Sequence, residues 1–276
     1  MIKIKLFLKP FLLHLSFYIP ALSFGEQPNV ILIMTDDQGY GDLSCHGNPI
    51  LKTPNLDRLH ANSIRLTNYH VSPFCTPTRA ALMTGRYPAR TGAYRTSSGR
   101  SNLHHDEITM ANYFTDAGYK TGLIAKWHLG DNAPCRPQDR GFQDVLWHKG
   151  GGIGQAPDFW GNNQFDDTYE RNGKQETFKG YATDVWFKES MTFIEKNQKD
   201  PFFLYLATNA PHSPYRVPEK WSAPYRKKVT WKFGAEFYGM IANLDHNIGL
   251  LRKLLDELDI AKNTIFIFTT DNGTAK

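Results

Sequence analysis

The chain has 276 residues, of which 41% are hydrophobic and 13% aromatic, so it can bury a large core and is not a disordered protein. Its formal net charge is +5, and three of the positive charges are Lys3, Lys5 and Lys9 near the N-terminus. Because no block of five or more Lys or Arg occurs, the charge pattern does not indicate nucleic-acid binding.

Residues 1–25 have the pattern of a secretory signal peptide. Basic residues come first, an apolar stretch covers residues 11–22, and small residues at positions 23 and 25 are spaced like a cleavage site. Pro10 and Pro20 interrupt this stretch, which leaves it short of the roughly 20 apolar residues that a membrane span needs. We therefore predict no stable membrane span, and export to the periplasm, the extracellular space or another secretory compartment.

Four apolar runs are typical of buried strands, and each leads into a polar cluster. They are residues 29–34 before Thr35-Asp36-Asp37, 121–125 before Lys126-Trp127-His128, 202–207 before Asn209-Ala210-Pro211-His212, and 264–269 before Thr270-Asp271-Asn272. Continuous apolar strands that alternate with helices predict an α/β fold, with a mostly parallel sheet covered by helices on both faces. In such sheets ligands bind beyond the carboxyl ends of the strands, so the polar clusters predict one shared site.

Helical patterns separate these strands, at residues 55–62, 109–117, 182–196 and 235–258. In the last of them apolar side chains recur at steps of three and four residues, namely Phe237, Met240, Ile241, Leu244, Ile248, Leu251 and Leu255. This stripe predicts a helix face that packs on the core rather than a cofactor site.

Residues 74–86 read F-C-T-P-T-R-A-A-L-M-T-G-R. Pro77 suits the first turn of a helix, where its missing N–H costs nothing, and the residues behind it are acceptable helix formers. Cys75 is thereby placed at a helix N-terminus, where partial positive charge and free N–H groups favour an anion. An ordinary buried cysteine in a capping segment is the alternative interpretation.

Residues 130–180 are rich in Gly, Asn, Asp and aromatic residues and include the run Lys149-Gly150-Gly151-Gly152-Ile153-Gly154. This composition predicts a long loop over the sheet, which either borders a substrate or is merely solvated. The glycine run is not a phosphate loop, because the Gly-Lys-Ser/Thr ending and the following helix are missing.

Asp36, Asp37, Asp271 and Asn272 offer only oxygen ligands. Such a set suits a hard cation, Ca²⁺ or Mg²⁺, better than zinc, which prefers Cys and His. Taken alone, each pair also fits a turn after a strand, and the Asn-Gly at residues 272–273 favours a turn.

The C-x-P-x-R core at Cys75 and its extension to Arg86 resemble the signature of the sulfatase family, in which this cysteine is oxidised to formylglycine, an aldehyde whose hydrate is the nucleophile. The resemblance runs from residue 28 to residue 273 and includes residues 35–42 and 53–59. It implies an alkaline phosphatase-like fold, a catalytic domain over residues 26–276, and hydrolysis of a sulfate ester to an alcohol and sulfate.

The resemblance also implies the roles of individual residues. The catalytic residues would be Cys75, Arg79, Lys126, His128 and His212, and the metal ligands Asp36, Asp37, Cys75, Asp271 and Asn272. Arg79, Lys126 and the metal, Ca²⁺ or alternatively Mg²⁺, would neutralise the sulfate. One hydroxyl of the hydrate would attack sulfur, and loss of a proton from the second hydroxyl would release sulfate.

Of the two histidines, His128 would assist sulfate release and His212 would protonate the leaving oxygen, since a histidine changes charge near neutral pH. Each histidine, taken alone, also fits a structural role, and Lys126 fits a lysine packed on Trp127. Asn209 is a further candidate for a contact to the sulfate.

The sequence departs from the family pattern at two positions. Residue 78 is Thr where many sulfatases have Ser, and the lysine expected beyond Gly273 is absent. We therefore expect the chain to be an N-terminal part of a sulfatase, without the C-terminal part of the fold. The partners implied are a sulfated small molecule or glycan as substrate and a formylglycine-generating or related maturation enzyme.

Three other functions remain open from the sequence. The first is a phosphonate or phosphate ester hydrolase of the same superfamily, and the second is an inactive pseudoenzyme that binds sulfated glycans. The third is a thiol hydrolase that uses Cys75 and a histidine, which would leave Arg79 and the carboxylate pairs without a role.

Only three cysteines occur, so the chain is not a disulfide scaffold. If Cys75 is modified, Cys45 and Cys135 remain, and either a disulfide or two free thiols is compatible with the sequence. Histidines at positions 46, 60, 70, 104, 105, 148 and 246 receive no role from the sequence.

Overall fold

The computed structural model describes residues 27–97 and 100–274, and the predicted signal peptide lies outside these residues. Within them the chain forms seven strands and six α-helices. The strands are β1 (Asn29–Thr35), β2 (Lys120–Lys126), β3 (Asp144–His148), β4 (Thr168–Arg171), β5 (Lys174–Thr177), β6 (Phe202–Ala207) and β7 (Thr264–Thr270). The helices are α1 (Pro54–Ala61), α2 (Cys75–Thr84), α3 (Met110–Asp116), α4 (Ala182–Asn197), α5 (Glu219–Ser222) and α6 (Gly234–Glu257). Short 3-10 turns lie at Ser44–His46, Pro88–Arg90, Pro137–Arg140, Ala223–Tyr225 and Ala261–Asn263.

The strands form one sheet in the order β5-β4-β3-β2-β6-β1-β7. Strands β3, β2, β6, β1 and β7 run parallel, whereas β4 and β5 pair antiparallel at one edge. The prediction of an α/β fold with a mostly parallel sheet is therefore confirmed. Because the carboxyl ends of the parallel strands share one edge, the polar clusters that follow them are brought together.

Helices cover both faces of the sheet. Successive side chains of a strand point to opposite faces, so Ile31 and Ile33 of β1 join the core formed with α4 and α6. Val30 and Leu32 join the core on the other face, formed with α2 and α3. This burial on both faces explains why the central strands read as continuous apolar runs.

Helix α6 packs as its apolar stripe predicts. All seven side chains of the stripe are buried, and the helix begins and ends one residue before the predicted bounds. The stripe is core, and it positions α6 against α4 and α1 on one face of the sheet.

The prediction of one long loop over residues 130–180 was wrong, because β3, β4 and β5 lie inside it. Strand β3 pairs with β2. It is short, and the glycine-rich and polar residues on either side of it are typical of a loop, so it was not predicted. Strands β4 and β5 form a hairpin around Asn172 and Gly173, whose φ angles of 48° and 84° fit the tight turn that Asn-Gly favours. The Asn-Gly dipeptide was the feature of the sequence from which this hairpin could have been predicted. Residues 149–164 do form the predicted irregular segment.

All three cysteines are free in the described part of the chain. Cys45 packs against the core on the α4 and α6 side of the sheet. Cys135 lies on the opposite side, where its Sγ contacts the carbonyl of Leu103 at 3.3 Å. The sheet separates the two thiols, so the disulfide alternative is not realised.

Among residues 27–97 and 100–274, no helix has both the length and the apolar character to cross a bilayer.

Candidate active site

The ends of β1 and β7 bring two oxygen-bearing pairs side by side. These strands are neighbours with Thr35 in register with Thr270, so the residues that follow both strands meet. The backbone N–H of Asp37 donates to Oδ1 of Asp271 at 3.2 Å, and Nδ2 of Asn272 donates to Oδ1 of Asp37 at 2.6 Å.

The ends of β2 and β6 add a cation and an amide to this group. Nζ of Lys126 lies 2.5 Å from Oδ2 of Asp36, and both side chains are fully buried. Nδ2 of Asn209 donates to the same oxygen at 3.1 Å, while its Oδ1 accepts from the N–H of Ile153 at 3.1 Å. Both ends of the Asn209 amide thus make a contact within the protein, which orients this side chain, and the contact to sulfate stays a prediction.

Helix α2 supplies the remaining members of the site. The helix begins at Cys75, carries Pro77 in its first turn, and ends at Gly85 in the left-handed conformation. Arg79 lies one turn after Cys75 and is fully buried, with Nη2 and Nε donating to Oδ2 of Asp271 at 2.8 and 3.2 Å. Its Nη2 is also 3.8 Å from Oδ1 of Asp36. We call Asp36, Asp37, Cys75, Arg79, Lys126, Asp271 and Asn272 the strand-end pocket.

Two buried cations face the two buried carboxylates Asp36 and Asp271. Burial acts to raise the pKa of Asp36, but Lys126, His212 and Arg79 outweigh it and hold that pKa below its ordinary value. Burial and the neighbouring Asp36 raise the pKa of Asp271 to about 6 against the opposing effect of Arg79. The pKa of Lys126 is raised, because Asp36 outweighs the effect of burial. The four groups are therefore charged at neutral pH and balance one another.

Cys75 lies against His128. Its Sγ is 3.2 Å from Nδ1 of the imidazole, and Thr76 Oγ1 donates to the carbonyl of His128 at 3.2 Å. Burial raises the pKa of the Cys75 thiol, and burial together with Lys126 lowers the pKa of His128 well below its ordinary value. The pair is therefore a neutral thiol beside a neutral imidazole, not the thiolate and imidazolium that a thiol hydrolase needs.

His212 approaches from the loop after β6. Its Nε2 lies 3.7 Å from Oδ2 of Asp37, and its Nδ1 contacts the carbonyl of Ser213 at 2.6 Å. The side chain is 14% exposed, so it borders the pocket from the solvent side. The five predicted catalytic residues and the five predicted metal ligands thus lie at one edge of the sheet.

The backbone is in the left-handed region at three residues of the site. The φ angle is 60° at Asp37, 83° at Ala125 and 55° at His128. Non-glycine residues adopt this conformation at an energetic cost, and such positions concentrate at functional sites. Here they turn the backbone immediately after β1 and around the end of β2, where the site side chains leave the sheet.

The donor set fits a hard divalent cation. One ligand atom each from Asp36, Cys75 and Asp271 lies within 4.8 Å of the others. Within the described residues, Oδ1 of Asp36 and Oδ1 of Asn272 are buried and have no hydrogen-bond partner. Buried oxygens without donors are costly unless a cation satisfies them, so these atoms are suited to bind Ca²⁺ or Mg²⁺.

The structure adds two glycines that the sequence did not single out individually. A Cβ at Gly151 would lie 2.6 Å from Cε1 of His128, and a Cβ at Gly152 would lie 2.9 Å from Cε1 of His212. The glycine run therefore packs on both histidine rings, where a larger residue does not fit. From the sequence, this loop either borders a substrate or is merely solvated, and its contact with the two histidines was not predicted.

Two further buried side chains at the site were also missed. Tyr205 of β6 places its hydroxyl 3.5 Å from Nη1 of Arg79. His148 is fully buried in register with Lys126, and burial lowers its pKa to about 3. Tyr205 lies in an apolar run and therefore looked like an ordinary core residue, whereas His148 lies in the segment that was predicted as a loop and received no role.

Comparisons with known proteins agree in one family. The family model described as Sulfatase matches residues 28–275. Human N-acetylgalactosamine-6-sulfatase is 30% identical over 273 residues, which cover 91% of this chain and 51% of that protein. The arylsulfatase of Klebsiella aerogenes is 30% identical and aligns with 90% of this chain and 66% of its own length. The solved structure of Ps i-CgsB in complex with k-i-k-neocarrahexaose superposes with a TM-score of 0.82 at 32% identity, covering 90% of this chain and 59% of that one. The chain therefore spans about half the length of the human relative.

Proposed function

The chain belongs to the sulfatase family, and from this premise we propose that the protein is a sulfuric ester hydrolase whose nucleophile is residue 75 after conversion of the Cys75 thiol to formylglycine. The signature cysteine begins α2 and lies in a buried pocket beside two cations and two carboxylates. That juxtaposition is the single observation that carries the proposal.

The charge of the pocket suits a sulfate ester. The oxygens of the sulfate group repel an attacking nucleophile, so a site must neutralise their charge as the reaction proceeds. Arg79 and Lys126 are held rigidly by Asp271 and Asp36, which keeps both cations in place without reorganisation. The N-terminus of α2 adds partial positive charge at Cys75.

Two groups would complete this chemistry. Formylglycine would supply a hydrated aldehyde at residue 75 that acts as the nucleophile. A divalent cation, for which we propose Ca²⁺ with Mg²⁺ as the alternative, would be held by Asp36, Asp37, Asp271 and Asn272 and would neutralise sulfate oxygens.

We assign proton transfer to the two histidines, which contact different residues of the strand-end pocket. His128 has Nδ1 3.2 Å from the Cys75 Sγ, and its lowered pKa keeps the ring neutral and able to accept a proton from a group at residue 75. His212 borders the pocket from solvent, where a leaving alcohol would depart, and we assign it the proton donated to that oxygen.

We propose a sulfated saccharide as the substrate class. One relative is named N-acetylgalactosamine-6-sulfatase, and one structural neighbour was solved in complex with k-i-k-neocarrahexaose. The proposal includes a maturation enzyme that modifies Cys75, a catalytic domain from residue 26, and export directed by residues 1–25.

The test begins with mass spectrometry of the tryptic fragment Leu66–Arg79 from protein expressed in a host that modifies sulfatases. We expect the mass loss that corresponds to replacement of the thiol by an aldehyde. Turnover is then measured on an aryl sulfate, an aryl phosphonate and sulfated galactose-type saccharides. The Cys75→Ala variant should lose turnover, whereas Cys135→Ala, which removes a free cysteine whose Sγ contacts the carbonyl of Leu103, should retain it.

Each contrary outcome has a distinct meaning. Faster turnover of the phosphonate than of the sulfate would favour a phosphonate hydrolase. Binding of sulfated saccharides without turnover by fully modified protein would favour a glycan-binding pseudoenzyme. Turnover by Cys75→Ala equal to that of the parent protein would remove residue 75 from the mechanism altogether.

A further inference from the structure

A second cluster of metal-binding side chains lies where the connection after β1 meets α1, apart from the strand-end pocket. Cys45 and His46 belong to the 3-10 turn Ser44–His46, and His60 lies in the last turn of α1. One ligand atom from each of the three residues lies within 4.8 Å of the others, and all three are partly buried. We call these three residues the Cys-His cluster, and we propose that it binds a Zn²⁺ ion.

The ligand chemistry points to zinc rather than to the cation of the strand-end pocket. A thiolate and two imidazoles are the donors that Zn²⁺ prefers, whereas Ca²⁺ and Mg²⁺ prefer oxygen. Zinc bonds to sulfur and nitrogen are about 2.3 and 2.0 Å long, so modest side-chain rotations bring the three donors onto one ion. Three protein ligands leave a fourth position for water.

Hydrogen bonds hold His46 in the state that a metal ligand requires. Its Nδ1 lies 2.8 Å from the carbonyl of Tyr40, and its ring stacks on the Tyr40 ring with the centroids 4.2 Å apart. A carbonyl only accepts, so the proton is on Nδ1 and the lone pair is on Nε2. Histidine ligands in metal sites are oriented by the same kind of contact.

Asp57 fixes Cys45 relative to α1 independently of any metal. Its Oδ1 accepts from the backbone N–H of Cys45 at 3.0 Å, and both of its oxygens accept from Ser44 Oγ at 2.9 and 2.8 Å. Because Asp57 and His60 belong to the same helix, these bonds hold the thiol near the His60 ring. The carboxylate also supplies negative charge beside the proposed cation.

Arg65 is the one cation that approaches the cluster closely among the described contacts. Its Nη1 lies 3.4 Å from Nε2 of His60, and its guanidinium also contacts the Tyr40 hydroxyl. Arg65 is exposed, so its long side chain can turn into solvent when a divalent cation binds.

A bound ion would join the 3-10 turn to α1 and stabilise the segment that begins at Asp36 and Asp37.

Zinc binding is tested on the whole 276-residue chain, with excess Ca²⁺ present to occupy the strand-end pocket. Isothermal titration with Zn²⁺ and elemental analysis after dialysis measure affinity and stoichiometry, and Co²⁺ substitution reports thiolate ligation by its charge-transfer absorption. We expect one Zn²⁺ per chain, with affinity reduced more than about tenfold in Cys45→Ser and in His60→Gln.

Three matched variants keep the assignment specific. Cys75→Ala removes the thiol of the strand-end pocket, Cys135→Ser removes another free cysteine, and His70→Gln removes an exposed histidine. All three should bind Zn²⁺ like the parent chain. If Cys45→Ser fails to fold by circular dichroism, His60→Gln carries the test, because His60 lies at the end of a short surface helix. Absence of zinc binding, or loss of binding in Cys75→Ala but not in Cys45→Ser and His60→Gln, would overturn the proposal.

Discussion

The connection between β1 and α1 contributes residues to both sites, Asp36 and Asp37 to the strand-end pocket and Cys45 and His46 to the Cys-His cluster, but the two sites differ in burial and in donor atoms. In the pocket, Asp36 and Asp271 are buried with Arg79 and Lys126, so the charges are paired before any ligand arrives. In the cluster, Cys45 and His60 are partly exposed and neutral donors predominate. A buried site must therefore balance its charges within the protein, whereas at a partly exposed site the bound ion and the surrounding water can compensate the charge.

Removal of a pocket cation gives the largest expected effect and tests that contrast directly. Arg79→Met leaves Asp271 buried without the guanidinium that donates two hydrogen bonds to its Oδ2, and we expect the free energy of unfolding to fall by about 3–5 kcal/mol. Urea denaturation followed by circular dichroism measures it. The control is Arg226→Met, which removes an exposed guanidinium paired with Glu219 and Glu236. Equal stability of the two variants would contradict the charge-balance account.

Occupation of the pocket by Ca²⁺ should stabilise the fold. At a free concentration one hundred times the Kd, binding to the folded state alone adds about 2.7 kcal/mol to the free energy of unfolding. Removal of Ca²⁺ with a selective chelator should therefore lower Tm, as measured by differential scanning calorimetry. Asp271→Asn should lose most of this response, and Asp106→Asn, at an exposed position, should keep it. A Tm independent of Ca²⁺ in the parent chain would argue against the metal site.

The glycine run supports the strand-end pocket by packing alone. Gly151 and Gly152 position His128 and His212 without contributing a charge. In Gly151→Ala the added Cβ would collide with the His128 ring, and we expect kcat on a sulfate ester to fall about a hundredfold. Gly152→Ala should act in the same way through His212. The control is Gly41→Ala, since nothing lies within 4 Å of a Cβ at that position. Parent-like kcat with normal Tm in both variants would show that the histidines tolerate displacement.

The smallest expected effect concerns the frame of the Cys-His cluster. Asp57→Asn weakens the contacts to Ser44, Cys45 and Thr53, and we expect a loss of about 1–2 kcal/mol in the free energy of unfolding. Chemical denaturation without zinc measures this loss. Asp116→Asn, at an exposed helix end, serves as the control and should change little. If Asp57→Asn matches that control, the turn is held by other contacts.

Much of the fold followed from local patterns. The four apolar runs became β1, β2, β6 and β7, and the stripe of α6 is buried as predicted. Strands β3 to β5 escaped prediction because they are short and lie among glycines and polar residues that usually mark loops. For the same reason the Asn172-Gly173 turn was passed over, although the dipeptide favours a hairpin.

By itself the sequence determined the chemistry that is available: oxygens after β1 and β7, Lys126 at the end of β2, and Cys75 followed one helical turn later by Arg79. These features depend on residues that are only a few positions apart in the sequence. The periodicity of helices and strands predicts how such residues are arranged.

Only the tertiary structure decided which of these groups meet. The order β2-β6-β1-β7 sets Lys126 against Asp36, and the packing of α2 places Arg79 on Asp271. Contact of Gly151 with His128, and of Cys45 with His60, likewise depends on how loops and helices close over one another. Such contacts join residues that are distant in the chain, and they arise from the packing of the whole core, which no local pattern of residues specifies.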